Sequence, residues 1–172
     1  MALPDYIHLV AGTAITWSTT GDKTLTLTSL ANDAAREGVK SDTLVDGTLG
    51  MPELLEIRFE SSVAVAATDG KHIELFIGES DNAAAGTDNP GNLTGADAAL
   101  SNPDQLKFQC YRAGSIRLSN ARGTNVQKQR MRYFPVCPYI IPLVVNKSGQ
   151  ALGSTAGDHK IVVTPYYRKL AD

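Results

Sequence analysis

The stretch from Leu54 to Gly78 reads LLEIRFESSVAVAATDGKHIELFIG and decides the fold class. In its first half, apolar residues alternate with Glu56, Arg58 and Glu60, which is the period of a strand with one buried and one solvated face. The dipeptide Asp69-Gly70 tolerates the positive φ angles of a tight hairpin turn. The apolar alternation then resumes and continues to Gly78. These features predict two consecutive antiparallel strands joined by a turn.

The rest of the chain is also divided into short segments with a strand-like pattern. Fifteen Gly and eight Pro interrupt it, and the one predicted helical segment spans residues 30–39. The segment 139–145 is apolar on both faces, which indicates a central strand in spite of Pro142. The other predicted strands are residues 23–30, 105–111, 115–119, 126–134 and 160–167. About eight strands in a single domain, residues 1–172, predict an all-β fold, an antiparallel β-sandwich or barrel.

Two segments lie outside this strand pattern. Residues 1–12 form an N-terminal arm whose side chains Tyr6, Ile7 and Leu9 can add a strand either to the chain's own sheet or to another subunit. Residues 79–104 are small, polar and rich in turn formers, and a loop of this length is commonly an interaction site. The candidate contact residues of this loop are Asn82, Asp88, Asn89 and Asn92.

The composition excludes several classes of protein. With 42% apolar residues and a formal net charge of −2, the chain is not of the disordered type. No apolar run has the length of a membrane-spanning helix. The N-terminus lacks the cationic region of a secretory signal, and Cys110 and Cys137 are too few for a disulfide scaffold. We therefore expect reduced thiols and assembly in a reducing cytoplasm.

The small net charge conceals a strong asymmetry along the chain. Residues 1–104 have 16 acidic and 5 basic side chains, whereas residues 105–172 have 2 acidic and 11 basic ones. A basic run interleaved with aromatic residues can bind nucleic acid, but the isoelectric point near 5.9 argues against this function. Two interpretations stay open, ion pairing with Glu56, Glu60 or Glu74 inside the chain and contact with a protein partner. The candidate interface residues are Arg112, Arg117, Arg122, Lys128, Arg130 and Arg132.

The sequence contains no motif for catalysis or metal binding. None of His8, His72 and His159 has a second ligand at the spacing of a zinc site. No serine lies in a nucleophile elbow, and no His-Glu-x-x-His motif is present. The oxygen-rich loop 79–104 lacks the alternating ligands of a calcium loop, and its Asp and Asn residues are typical of turns. We predict no catalytic residue, no cofactor and no metal.

Several segments between residues 50 and 145 share their pattern with a known family. They are residues 50–59, 73–80, 90–99, 114–118, 133–135 and 142–145. Together they resemble the small jelly-roll proteins of tailed-bacteriophage virions, which decorate the head or are associated with the head or the tail. The resemblance is one of pattern and includes no catalytic motif.

The resemblance implies a non-enzymatic structural protein with a jelly-roll-like β-sandwich. Such a protein assembles in the host cytoplasm, resides in the virion and forms homo-oligomers such as trimers. Its other partners would be the major capsid or tail proteins, without membrane or nucleic acid. The arm, the long loop and the complementary charged surfaces would supply the contacts.

An alternative function is that of a carbohydrate-binding module, because β-sandwiches often present aromatic side chains to sugars. The candidate aromatic residues are Trp17, Tyr111, Tyr133, Tyr139, Tyr166 and Tyr167. An aromatic content of 6% with a single Trp gives this alternative little support.

The charge asymmetry gives a first testable prediction. Replacement of Arg122, Lys128, Arg130 and Arg132 by Gln should weaken assembly and reduce its sensitivity to salt, because contacts between exposed charges are screened by ions. Light scattering at low and high salt measures this effect. A variant that assembles and responds to salt like the wild type would contradict the electrostatic role.

Overall fold

The structure is a computed structural model that describes residues 7–106 and 108–170. The strands in these residues are β1 (Ile7–Ala11), β2 (Ile15–Ser18), β3 (Lys23–Thr24), β4 (Ala35–Glu37), β5 (Leu54–Ser61), β6 (His72–Ser80), β7 (Ala98–Leu100), β8 (Tyr111–Arg117), β9 (Gln127–Tyr133), β10 (Tyr139–Lys147) and β11 (Lys160–Leu170). The described residues also include a short helix, α1 (Pro103–Leu106), and 3-10 turns at Asn120–Arg122 and Ala156–Asp158.

The strands form two sheets that pack face to face. The first sheet has the order β3-β2-β11-β5-β9, and β1 pairs with β11 on the side where β2 also lies. The second sheet has the order β7-β4-β10-β6-β8. All pairings are antiparallel except the short one between β2 and β3. The predicted all-β antiparallel sandwich is therefore confirmed.

The main core lies between the two sheets and is centred on β5 and β6. Leu55, Ile57 and Phe59 of β5 are fully buried, and they meet Ile73 and Leu75 from β6 in one apolar cluster. This confirms the alternation that the sequence predicts for both strands. Burial of each such side chain stabilises the fold by about 1.5–3 kcal/mol.

A second apolar layer covers the outer face of the second sheet. Ile140 and Val144 of β10 face the main core, whereas Ile141 and Leu143 belong to this outer layer. Leu93, from the long loop after β6, is buried in the same layer. The prediction of a central strand that is apolar on both faces is confirmed, and the loop supplies its second cover.

Pro142 fits inside β10 because its missing N–H points toward β4, which has already ended at Glu37. The Pro142 carbonyl accepts a hydrogen bond from the Gly38 N–H at 2.9 Å. In antiparallel pairing, the N–H and C=O of one residue point to the same neighbour, so the proline removes no bond to β6. A residue that favours edge strands is thus accommodated in a central one.

Two predicted segments near the N-terminus are wrong in detail. Residues 23–30 pair as a strand only at Lys23–Thr24. The Leu25 N–H makes the last bond to β2, at the Ser18 carbonyl, and the Thr26 N–H then bonds to the Asp97 carboxylate. Residues 30–39 contain the strand β4 in place of the predicted helix. Pairing with β10 overrides the local helical preference there.

Two further boundaries differ from the sequence prediction. Of the predicted strand 105–111, only Tyr111 is in a strand among the described residues, since the pairing of β6 with β8 stops at Ile77 and Tyr111. The predicted loop 79–104 is shorter than expected. It contains the end of β6 and the strand β7, which pairs with β4.

The N-terminal arm adds a strand to its own sheet. β1 pairs with β11 from Ile7↔Leu170 to Ala11↔Tyr166. Ile7 and Leu9 thus belong to the chain's own sheet, the first of the two alternatives, and the subunit contact stays a prediction. Both side chains nevertheless stay exposed. The predicted contact residue Tyr6 lies outside the described residues.

A buried histidine links β5 to the loop that precedes β11. His159 Nε2 lies 2.8 Å from the Gly153 carbonyl, which can only accept, so Nε2 carries the proton. Nδ1 therefore accepts the hydrogen bond from the Ser61 hydroxyl at 2.9 Å. Ser61 is fully buried, so this Ser–His pair has a structural role. Burial lowers the pKa of His159, against opposing effects of the Gly153 carbonyl and Asp158.

The lowered pKa of His159 predicts that the fold loses stability in acid. The unfolded chain binds the proton near the ordinary pKa of 6.5, whereas the folded chain binds it only at lower pH. Stability is thus complete above this value and falls below it by at most about 1.4 kcal/mol per pH unit. Urea unfolding at a series of pH values measures the slope. The His159→Gln variant should show a shallower slope, and an unchanged slope would contradict the assignment.

Candidate interaction surfaces

The predicted basic residues lie on two opposite faces of the sandwich. Arg117 pairs across from His72 on the outer face of the second sheet, whereas Lys128 lies across from Glu60 on the outer face of the first. The split arises because β8 and β9 are consecutive in the chain but belong to different sheets. The second-sheet group is Arg112 and Arg117, the first-sheet group is Lys128, Arg130 and Arg132, and Arg122 lies in the turn between them.

Several of these bases are paired with acids from the first half of the chain. Glu60 lies 2.9 Å from Arg58, 3.2 Å from Lys128 and 3.6 Å from Lys160. Glu74 contacts Arg112 at 3.1 Å. Intramolecular pairing, one of the two interpretations of the sequence, is thus confirmed for these groups and for Arg130, which lies 3.6 Å from Glu56. Because Glu60 is buried, its three bases offset the cost of removing its charge from water, whereas the more exposed pair of Arg130 with Glu56 contributes little to stability.

Three of the predicted bases, one on each sheet and one in the turn between them, remain without an ion pair to any residue that the structure describes. Within the described residues, no ion pair is present at Arg117, Arg122 or Arg132. Arg132 lies beside the paired Arg130 on β9, at the edge of this sheet. The cancellation of opposite charges across neighbouring strands is therefore only partial.

The long loop is folded around the ammonium group of Lys40. This lysine follows β4 and is buried. Its Nζ donates to the Ser80 hydroxyl at 2.9 Å and to the carbonyls of Asn82, Ala84 and Thr87 at 2.9, 2.7 and 3.0 Å. Burial lowers the pKa of Lys40, while the charge of Asp88 acts in the opposite direction. The inward-facing carbonyls of this loop thus accept hydrogen bonds from a side chain of the same protein.

The end of the loop is held by a second buried charge, Glu37 of β4. Its carboxylate accepts hydrogen bonds from the Thr94 N–H at 2.9 and 3.0 Å and from the Thr94 hydroxyl at 2.6 Å. The Gly95 N–H also donates to it, at 3.3 Å. Sequence reasoning missed both residues. Glu37 lies in the segment 30–39 that the sequence pattern predicts to be helical, and Lys40 follows it directly.

The four predicted contact residues of the loop have different environments. Asn82 accepts a hydrogen bond from the Ala84 N–H, and the Asn89 amide donates to the carbonyls of Ala85 and Leu93. These two side chains therefore stabilise turns of the loop itself. Asp88 and Asn92 are exposed. No group of three or more possible metal ligands occurs among the residues that the structure describes.

Four strongly exposed apolar side chains gather beside this loop. We call them the aromatic patch, which consists of Phe108, Tyr111, Phe134 and Val136 with exposed fractions of 91, 60, 70 and 79%. Tyr111, Phe134 and Val136 line a groove of about 410 Å³, and Phe108 lines a neighbouring groove of about 620 Å³. The two grooves share Gln109. Phe108 lies in the segment 105–111, whose described residues before Tyr111 form no strand.

Buried groups fix the position of the aromatic patch. The rings of Tyr111 and Tyr133 lie 4.9 Å apart between centroids. Glu79 accepts hydrogen bonds from the N–H groups of Val136 and Cys137 at 2.8 and 3.4 Å. Burial and the Glu79 carboxylate also raise the pKa of Tyr133 far above its usual range. The segment that presents Phe134 is thus anchored to β6.

The aromatic residues proposed for sugar binding do not come together. Trp17, Tyr133 and Tyr167 are buried, and the Trp17 indole and the Tyr167 hydroxyl donate to the carbonyls of Val39 and Leu44. Tyr139 and Tyr166 are partly buried. Within the predicted set, Tyr111 is the residue with a strongly exposed ring.

Comparison with protein-family models gives no match, and comparison with curated proteins gives none either. Among the described residues, no helix has the length and apolar character needed to cross a membrane.

Lys40 provides a test of how the loop is held. The Lys40→Met variant keeps the apolar stem but removes the ammonium donor of three carbonyls, of which the Ser80 hydroxyl can serve only one. This should reduce the free energy of unfolding by about 1–3 kcal/mol. Hydrogen exchange of residues 81–88 should accelerate in the folded protein. The exposed Lys71 provides the control Lys71→Met, which should change neither quantity. Equal effects of the two substitutions would contradict the anchoring role of Lys40.

Proposed function

We propose that this chain is a non-enzymatic structural protein of a tailed-bacteriophage virion. It assembles in the host cytoplasm, self-associates, and binds neighbouring capsid or tail subunits. The observation that supports this most is the aromatic patch, which exposes three aromatic rings and Val136 on one rim of the sandwich. Exposed apolar clusters of this kind mark protein interfaces, where Tyr and Phe are enriched.

The strand order supports the jelly-roll part of this proposal. The segment β2-β11-β5-β9 faces the segment β4-β10-β6-β8, and most consecutive long strands change sheet. Eight strands interleaved in this way are the arrangement of two combined Greek keys, a fold of many viral coat proteins and also of lectins. Fold alone does not define function, so the choice between a coat protein and a lectin depends on the chemistry of the surface.

The chemistry of the aromatic patch favours a protein partner. The segment of Phe134 and Val136 is anchored through Glu79, so little side-chain and backbone freedom is lost when a partner covers it. The unpaired Arg132 lies nearby on β9 and supplies a charged rim. In this arrangement the apolar centre gives affinity and the rim gives orientation.

Substitution in the aromatic patch tests this surface. The double variant Phe134→Ser, Val136→Ser should weaken self-association by about tenfold or more, because two apolar side chains no longer leave water on contact. The molar mass from light scattering, measured over a range of concentrations, is the readout. The control is Val65→Ser, which changes an equally exposed apolar side chain in the connection between β5 and β6. An unchanged mass distribution of the double variant would contradict the proposed contact.

The virion context is tested by the genes beside this one. Genes for a capsid, portal or tail protein next to it support the proposal, whereas an operon of sugar metabolism contradicts it. Negative-stain images of the purified protein provide a second test, since a virion component of this kind should form discrete symmetric particles.

A sugar-binding function remains the second candidate because of one observation. The groove of Tyr111 and Phe134 also contains the polar residues Gln109 and Glu79, and such a combination of rings and polar groups can bind a small ligand. A glycan array with the wild type and a Tyr111→Ala variant tests it. Binding that requires Tyr111 supports this candidate, and an array without binding, together with multimers in light scattering, removes it.

A further inference from the structure

The outer edge of β1 has backbone groups that are free to pair. The Gly12 N–H donates to the Pro165 carbonyl at 2.8 Å, which continues the β1–β11 register by one residue. Backbone groups of an antiparallel strand point alternately to its two neighbours, so those of His8 and Val10 face β11. Those of Ile7, Leu9 and Ala11 face outward. No strand in the described residues pairs with this outer edge.

The side chains of the same three residues form an exposed apolar row. Ile7 and Leu9 are 55% and 49% exposed, and Leu170, which lies across from Ile7 on β11, is 57% exposed. Side chains at every second position share one face of a strand, so Ala11 continues the row. β1 has no Asp, Glu, Lys or Arg. Exposed, uncharged, apolar edges are those that natural sheets avoid unless a partner covers them.

The other sheet edges are unsuited to the same pairing. β3 and β7 have two and three residues. β8 is in contact with β9, the edge strand of the other sheet, so its outer side is partly covered. β9 presents Lys128, Arg130 and Arg132 on its outer face, so antiparallel pairing of two β9 strands about Arg130 would place like charges opposite one another.

We propose that two copies of this chain pair their β1 strands antiparallel about a two-fold axis at Leu9. Leu9 then lies opposite the same residue of the second copy, and Ile7 lies opposite Ala11. Each of these three pairs exchanges two backbone bonds, which gives about six hydrogen bonds across the axis. The two first sheets become one continuous sheet, and the apolar rows join on one face.

The charges near this contact do not oppose it. Arg168 lies across from Leu9 on β11 and is paired with Glu53 at 2.8 Å. Two β1 strands would separate the Arg168 residues of the two copies by roughly 15 Å, which exceeds the screening length at physiological salt. The proposal concerns a different surface from the aromatic patch, and it holds whether or not the chain belongs to a virion.

A proline at position 9 tests the backbone pairing directly. In the Leu9→Pro variant the outward N–H is lost and the ring blocks the edge, while the bonds of His8 and Val10 to β11 remain, because proline is tolerated in edge strands. The matched control Leu9→Ala keeps the N–H. We expect Leu9→Pro to raise the dimer dissociation constant at least about tenfold more than Leu9→Ala does. Sedimentation equilibrium from low-micromolar to near-millimolar concentration measures both constants.

Hydrogen exchange of the wild type gives a readout that does not depend on a variant. The amides of Ile7, Leu9 and Ala11 should become protected as concentration rises, whereas protection at His8 and Val10 should depend less on concentration. A monomer at every concentration, a dimer that Leu9→Pro leaves intact, or a lack of concentration dependence at Leu9 would each overturn the proposal. A dimer that is lost only in Phe134→Ser, Val136→Ser would instead assign self-association to the aromatic patch.

Discussion

Both faces of the second sheet must be covered, and the rest of the molecule is arranged around this requirement. β10 buries Ile140 and Val144 in the main core, and the side chains of Ile141 and Leu143 lie on its opposite face. The first sheet can cover only one of these faces. The long loop covers the other and buries Leu93 there. Since a polar, turn-rich loop has little apolar surface of its own, other contacts must hold it in place.

Two buried charges hold this loop against the sheet. Lys40 donates to three of its carbonyls, and Glu37 accepts from the N–H groups of Thr94 and Gly95. Each charge is surrounded by several hydrogen-bonding partners, which offsets the cost of removing it from water. A loop that is fixed in this manner is a rigid cover. Asp88 and Asn92 of this loop stay exposed, and the aromatic patch lies beside it.

Much of the strand content was predictable from local pattern. β5, β6 and β10 have strong apolar periodicity or apolar character on both faces, and their burial agrees with it. The predictions failed where pairing depends on a distant partner. β4 forms because it pairs with β10, whereas the described residues before Tyr111 in the segment 105–111 form no strand and do not pair with β6. Phe108, in that segment, is strongly exposed.

The sequence by itself determined the all-β class, the alternation of the main strands and the uneven charge of the two halves of the chain. The strand pattern depends on neighbours a few residues apart, and the charge depends on composition alone. The tertiary structure decided which face each base occupies, because β8 and β9 belong to different sheets. It also decided the roles of Lys40 and Glu37 and the free outer edge of β1. Such features arise from contacts between residues that are distant in the chain, and no local period specifies them.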